Sequence, residues 1–325
     1  MNLSTSLSHG QSIPAGKSEL RRQLAAWLRL LSKCAQKPSR RRIHILRVAT
    51  LRLQARLEHW AAALETGGPE ERAVRRWNRQ AEKLRRLLST ARETDVYLGK
   101  LDGLRSSVAG PADGSSRLTR MCLRQIDAVE DRLQQDRKIA ARKAADEIKD
   151  RMRRFDRLSR ELEAELPVAV QRAADSGTGR VREMIAALVT ESPNLNAENL
   201  HEFRKRVKNV RYVAEIAGTG DPLATRQLAA LRRMQSAAGV WHDWQTLAKR
   251  AGRTLRSRNK DGGLAELLVT LAEESLEKAL EVCRRTTERL LNEGAETEPP
   301  LNSYPPKRPV RSAESLTASD EERYA

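Results

Sequence analysis

Between Leu200 and Ala214 the chain sorts its side chains onto two faces with a helical period, a pattern that a strand cannot satisfy. At about 100° per residue, His201, Arg204, Lys205, Lys208, Arg211 and Tyr212 fall within one arc of roughly 120°. Leu200, Phe203, Val207, Val210 and Ala214 share another. One face is core and the other meets something anionic. A related stripe, Arg40, His44, Arg47 and Arg52, stands upstream, its histidine 157 residues before His201. The duplication points to one basic site built from two related halves.

A second pair of segments supports the repeat. Leu84-Arg85-Arg86-Leu87-Leu88-Ser89-Thr90-Ala91-Arg92-Glu93 follows the first stripe, and Met234-Gln235-Ser236-Ala237-Ala238-Gly239-Val240-Trp241-His242-Asp243 follows the second. Each runs from a helical pattern through a small residue (Ser89 or Gly239) to a basic residue followed by an acid. The offset here is 150, so the intervening loops differ in length.

Aromatic residues make up only 3% of the chain, and Leu, Ala, Arg and Glu dominate, which favours packed helices and an all-α protein. Helices are expected at about 18–35, 41–65, 70–90, 92–107, 117–165 (bent or broken), 167–190, 198–217, 222–238, 241–258 and 261–293, divided by Gly, Pro and Asn breakers. Short connections imply antiparallel neighbours in bundles. Residues 1–17 and 294–325 lack helical periodicity and are expected to be disordered tails. They flank one domain, 18–293, with halves of about 18–165 and 166–293.

Sixty-one Lys and Arg against 43 Asp and Glu give a formal charge of +18, which favours a polyanionic partner: nucleic acid, polyphosphate or an anionic membrane surface. The excess is local. Leu20 to Leu57 holds eleven basic residues and no acid, and Pro222 to Lys260 holds nine with Asp243 as the only acid. Cys34, Cys122 and Cys283 are odd in number and far apart, so they read as small core residues rather than a disulfide framework or metal cluster. No apolar run is long enough for a membrane span and the first residues are polar, so a cytoplasmic location is expected.

The stripes and the segments that follow them resemble the CHAD domain, the conserved histidine α-helical domain. Its repeated signature is His-x-Leu-Arg-Val-x-x-Arg-Arg-Leu-Arg on one helix and Leu-Gly-x-x-Arg-Asp-x-Asp-Val at the start of another. The copies here begin His44-Ile45-Leu46-Arg47-Val48 and His201-Glu202-Phe203-Arg204-Lys205, and the resemblance runs from residue 18 to about 293. Leu51, Gln54 and Asn209 stand where the family has basic residues, Ser89 replaces Gly and Glu93 replaces Asp, which thins the first half. The resemblance implies two similar antiparallel helical bundles around a basic central groove or pore. It also implies binding of inorganic polyphosphate, with possible targeting to polyphosphate granules.

Recognition of such a polymer rests on charge and on hydrogen bonds to phosphate oxygens. Arg supplies a planar fork and Lys a mobile point charge. The expected binding residues are Arg40, His44, Arg47, Arg52, Lys83, Arg86, His201, Arg204, Lys205, Lys208, Arg211, Tyr212 and His242. His44 and His201 could instead make structural bonds to Glu93 or Asp243, and Arg92 and Asp243 are expected to pair with stripe residues. RNA binding is the alternative, weakened by the scarcity of aromatics in the basic stretches. A His-dependent phosphatase is a further one, but there is no Walker loop, zinc motif or carboxylate cluster. The expectation is a non-enzyme without cofactor or metal.

Overall fold

The computed structural model describes residues 15–61, 67–109, 117–166, 181–217, 222–257 and 263–295. Their regular structure is entirely helical: α1 (Ala15–Gln36), α2 (Arg40–Ala61), α3 (Pro69–Val108), α4 (Arg117–Glu165), α5 (181–191), α6 (Leu200–Ala217), α7 (Pro222–Arg256) and α8 (Gly263–Ala295), with a 3-10 turn at Ser192–Asn194. Met1–Leu290 forms one compact unit and Leu291–Ala325 a second, of which only the last turn of α8 is described.

Helix starts follow local chemistry. At α2, Ser39 Oγ accepts the Arg42 N–H at 3.3 Å, an N-terminal cap that sets the phase of the first stripe. The preceding turn is tied down by Arg137 of α4, which donates to the Pro38 carbonyl at 3.2 Å and to Asp95 of α3 at 3.1 Å. Before α3, Gly67 takes φ +83, a conformation other residues avoid, and Pro69 occupies the first turn, where its missing N–H costs nothing. Before α6, Asn196 Oδ1 accepts the N–H groups of Glu198 and Asn199 at 2.9 and 3.2 Å, and Asn199 Oδ1 accepts that of Asn196 at 2.9 Å. That reciprocal pair fixes where His201 begins the second stripe.

Three apolar cores hold the helices. The first joins α1 and α2 to the N-terminal part of α3 and the C-terminal part of α4. At its centre Trp27 lies 5.1 Å from Trp77 and 4.9 Å from Phe155, ring to ring. Trp27 also donates to buried Thr50 Oγ1 at 2.9 Å, which satisfies a hydroxyl on the core face of α2. The second core joins α5 and α6 to the N-terminal part of α7 and the C-terminal part of α8, around Phe203, Val207, Met234, Trp241 and Cys283. The third uses the remaining ends of the four long helices: Tyr97 and Leu101 of α3, Ile126, Val129 and Leu133 of α4, Leu247, Ala251 and Leu255 of α7, and Leu264 and Leu268 of α8. α2 also packs directly on α6.

The boundaries differ from expectation where a breaker was inferred without Pro. The segments expected at 70–90 and 92–107 are one helix, as are 222–238 and 241–258. Gly239 costs an interior turn about 1 kcal/mol, and burial of Met234, Ala238 and Trp241 around it outweighs that. α4 is helical without interruption over 49 residues. α1 begins at Ala15, earlier than residue 18, and α8 runs to Ala295. The remainder of both expected tails (1–14 and 296–325), and 167–180 of the helix expected at 167–190, lie outside the described residues. Cys34 and Cys283 are buried in cores and Cys122 is half-buried, all as free thiols. Burial pushes the Cys34 thiol up to about 11 and the Cys283 thiol up to about 12. Among the described residues no helix is long and apolar enough to cross a membrane.

Candidate anion-binding site

Packing α2 on α6 brings the two stripes together. Arg85 of α3 and Arg204 of α6 act on the ionisation of Arg47 in α2, and Arg47, Arg204, Arg85 and Arg211 act on that of Lys208 in α6. Burial, then the charges of Arg47, Arg204, Arg85 and Arg211, lower the Lys208 ammonium to about 7. Arg47 and Arg204 are also lowered, in each case mainly by burial. The Nε atoms of Arg47, Arg85 and Arg204 are buried and have no hydrogen-bond partner among the described residues. A buried donor that no group satisfies costs roughly 1–3 kcal/mol.

Two carboxylates temper the cluster. Glu93 of α3 and Asp243 of α7 face each other closely enough to interact, and burial raises both above the usual carboxylate range. Arg47, Arg250 and Arg204 act on Glu93 in the opposite sense, as do Lys100, Arg204, Arg92 and Arg47 on Asp243. Asp243 lies near the stripe residues Arg204 and Arg47, whereas Arg92 lies near Asp95 and Asp243 and is lowered by burial and by the like charge of Arg40. His201 Nδ1 is buried without a hydrogen-bond partner among the described residues, and its ring lies 4.6 Å from that of His242. Burial and then Arg204, His201, Lys249 and Lys205 lower His242 to about 4, so it is uncharged at neutral pH. Burial also lowers His201, assisted by Lys205 and Arg204. His44 is lowered by burial, then by Arg92, Arg47 and Arg40, and Arg40 reaches within 3.1 Å of the position a Cβ would take at Gly99.

The other end of the α6 stripe is closed by an acid. Glu215 accepts Arg211 Nη1 at 2.6 Å and Arg52 Nε at 3.3 Å, and Arg232 Nη2 stands 3.7 Å away. Arg211 donates its Nε to Gln235 Oε1 at 2.8 Å and lies 4.3 Å above the buried Tyr212 ring. Arg52 and Arg211 are thus already engaged within the protein, and Lys205 is paired with Glu202 at 2.6 Å.

Lys83 and Arg86 fall elsewhere. They line an open hollow of about 650 Å³ with Thr90, Arg132, Lys143, Arg151 and Arg250, over Leu87, Ile139 and Ala140, and Arg86 is paired with Glu82 at 2.5 Å. The residue of that turn that enters the cluster is Arg85. Its phase was available in the sequence: Leu84 and Leu88 are the buried face of α3, which turns Arg85 and Arg86 to different sides. Glu215 was also within reach, since it stands four residues after Arg211. The meeting of Glu93 with Asp243, and the approach of Lys100 to within 4.0 Å of the Trp244 ring, had no local signal. Among the described residues no group of three or more His, Cys, Asp or Glu could hold a metal ion.

The all-helical arrangement has solved counterparts. The crystal structure of the CHAD domain from the plant Ricinus communis superposes with a TM-score of 0.57 at 18% identity, covering 88% of this chain and 96% of that one. PptA from Streptomyces chartreusis superposes at 0.58 and 16% identity, covering 85% and 98%. At these identities the likeness concerns the fold. No curated protein matches by sequence. Residues 18–252, from α1 through most of α7 and including both stripes, match the CHAD domain as a sequence family, and the chain belongs to that family.

Proposed function

We propose that this protein binds inorganic polyphosphate without transforming it, in a basic groove centred on Arg47, Arg85, Arg204 and Lys208, and that this binding directs it to polyphosphate granules. The observation that carries the reading is the set of three buried arginine Nε donors without a protein acceptor, clustered around a lysine that burial and its cationic neighbours lower to about 7. Such a group is unfavourable alone and favourable around an anion. A phosphate polymer presents repeated charge and oxygen acceptors and no bases, which suits a site with arginine forks and few exposed aromatics.

Two related halves fit the way the cores are built. The first core takes two short helices and parts of two long ones, the second does the same, and the third is shared by the other ends of the long helices. The non-enzymatic reading is supported by what surrounds the histidines: His201 and His242 lie beside cations, with no carboxylate shown to hydrogen-bond their Nδ1 atoms and activate them.

Calorimetry with long-chain polyphosphate on the wild type and on Arg47→Ala/Arg204→Ala/Lys208→Ala tests the site. The triple variant is expected to bind at least about a hundredfold more weakly, since each lost charge-assisted hydrogen bond contributes roughly 1.5–3 kcal/mol. Unchanged affinity would remove the site. Preference for RNA of matched charge in direct competition would overturn the choice of polymer, and shortening of polyphosphate that is lost in His201→Ala would overturn the non-enzyme reading.

A further inference from the structure

Three arginines from three helices converge on one carboxylate at the end of the α6 stripe. Glu215 meets Arg211 at 2.6 Å, Arg52 of α2 at 3.3 Å and Arg232 of α7 at 3.7 Å. One negative charge among three positive ones leaves an excess that still attracts anions. The carboxylate nonetheless accepts from Arg211 Nη1 and Arg52 Nε, two donors that a phosphate would use. Arg211 stands three residues beyond Lys208 on the same helix, close enough to depress its ionisation. A polymer held at Arg47, Arg204 and Lys208 that continues along α6 therefore meets Arg211 and its carboxylate next.

We propose that Glu215 is a resident competing anion that limits how far along α6 a bound polyphosphate extends, and so sets the chain-length preference of the site. The proposal rests on the polyphosphate reading above. A short chain is satisfied by the central cations and leaves Glu215 in place. A long chain gains the Arg52 Nε and Arg211 Nη1 donors only by pushing an anion aside, because two oxygens cannot share the same guanidinium donors without like-charge repulsion, and the exposed Arg232 beside them adds to the charge that draws it there.

The experiment is calorimetry on the full chain with tripolyphosphate and with long-chain polyphosphate, comparing the wild type, Glu215→Gln and Arg232→Gln. Glu215→Gln keeps the shape and removes the charge. It is expected to tighten long-chain binding about tenfold while changing tripolyphosphate by no more than about twofold. Arg232, 62% exposed, can be replaced with little risk to folding. Arg232→Gln is expected to weaken long-chain binding about three- to fivefold and to leave tripolyphosphate unchanged. If the wild type binds long chains and Glu215→Gln weakens them, leaves them unchanged or tightens both ligands alike, the resident-anion proposal falls while the polyphosphate reading stands. If circular dichroism shows that Glu215→Gln does not fold, Arg232→Gln decides, and a loss that is absent or equal for both ligands overturns the proposal. If the wild type binds neither ligand, both readings fall.

Discussion

At the scale of single residues, Lys208 shows what the proposed anion site costs the ligand-free fold. Its ammonium is lowered to about 7 by burial and by Arg47, Arg204, Arg85 and Arg211, whereas in the unfolded chain it ionises near 10.5. Between those values the unfolded chain holds a proton that the folded one lacks, so this residue makes stability rise with pH over that interval, and its full penalty is present below about pH 7. Lys208→Met is therefore expected to stabilise the ligand-free protein by about 1–3 kcal/mol at pH 6, with the gain fading towards pH 10.5, as read by denaturant titration at several pH values. An anion bound at Lys208 raises its ionisation again. Binding above pH 7 is then expected to take up protons and to weaken as pH rises, and calorimetry in buffers of different ionisation enthalpy measures that uptake. If uptake is unchanged in Lys208→Met, the protons enter elsewhere. A helical period in each of the two stripes singles out Arg47 on α2 and Arg204 and Lys208 on α6, and the packing of α2 on α6 places them near one another. Among Lys83, Arg85 and Arg86 the sequence left open which point inward, because the phase of α3 was not followed through Leu84 and Leu88.

At the scale of elements, continuity of the long helices was the least legible feature. Gly239 and the Thr90-Ala91 step looked like boundaries because local preference alone was weighed. In the fold the same segments are held by cores on either side, so α3 and α7 run through. A Cβ added at Gly239 would lie 3.8 Å from Arg204 Nε, an ordinary contact, whereas one at Gly99 would come within 3.1 Å of Arg40 Nη2. Gly239→Ala is expected to stabilise the protein by about 0.5–1 kcal/mol through helix propensity. Gly99→Ala should gain less, because the end of the Arg40 side chain has to move. Chemical denaturation of the two variants checks the order, and destabilisation by Gly239→Ala would mean that Arg204 needs the space. Helix starts were easier to read, because Ser39, Pro69, Asn196 and Asn199 act within a few residues of where they stand.

For the whole molecule, the third core is where the long helices of the first core meet those of the second. Leu101 is fully buried where the ends of α3, α4, α7 and α8 meet. Leu101→Ala is expected to cost about 2–5 kcal/mol. It should lower hydrogen-exchange protection of α2 and α6 together, in one unfolding transition. Protection lost around only one of the two helices would show that the first and second cores unfold independently. The sequence carried no trace of this core as a separate layer. Its residues continue the apolar faces of helices already assigned to other neighbours, and which end of a long helix packs where is a tertiary outcome. The direct packing of α2 on α6 has a mechanical consequence. These helices touch along the cationic rows they carry, so under the polyphosphate reading conformational adjustment is expected to fall mainly to the guest. A supple chain with free torsions can follow such a fixed surface, whereas a stiff duplex must fit it as a rod. Capture should then proceed in a single encounter step, with an on-rate set by ionic strength rather than by a slow protein rearrangement.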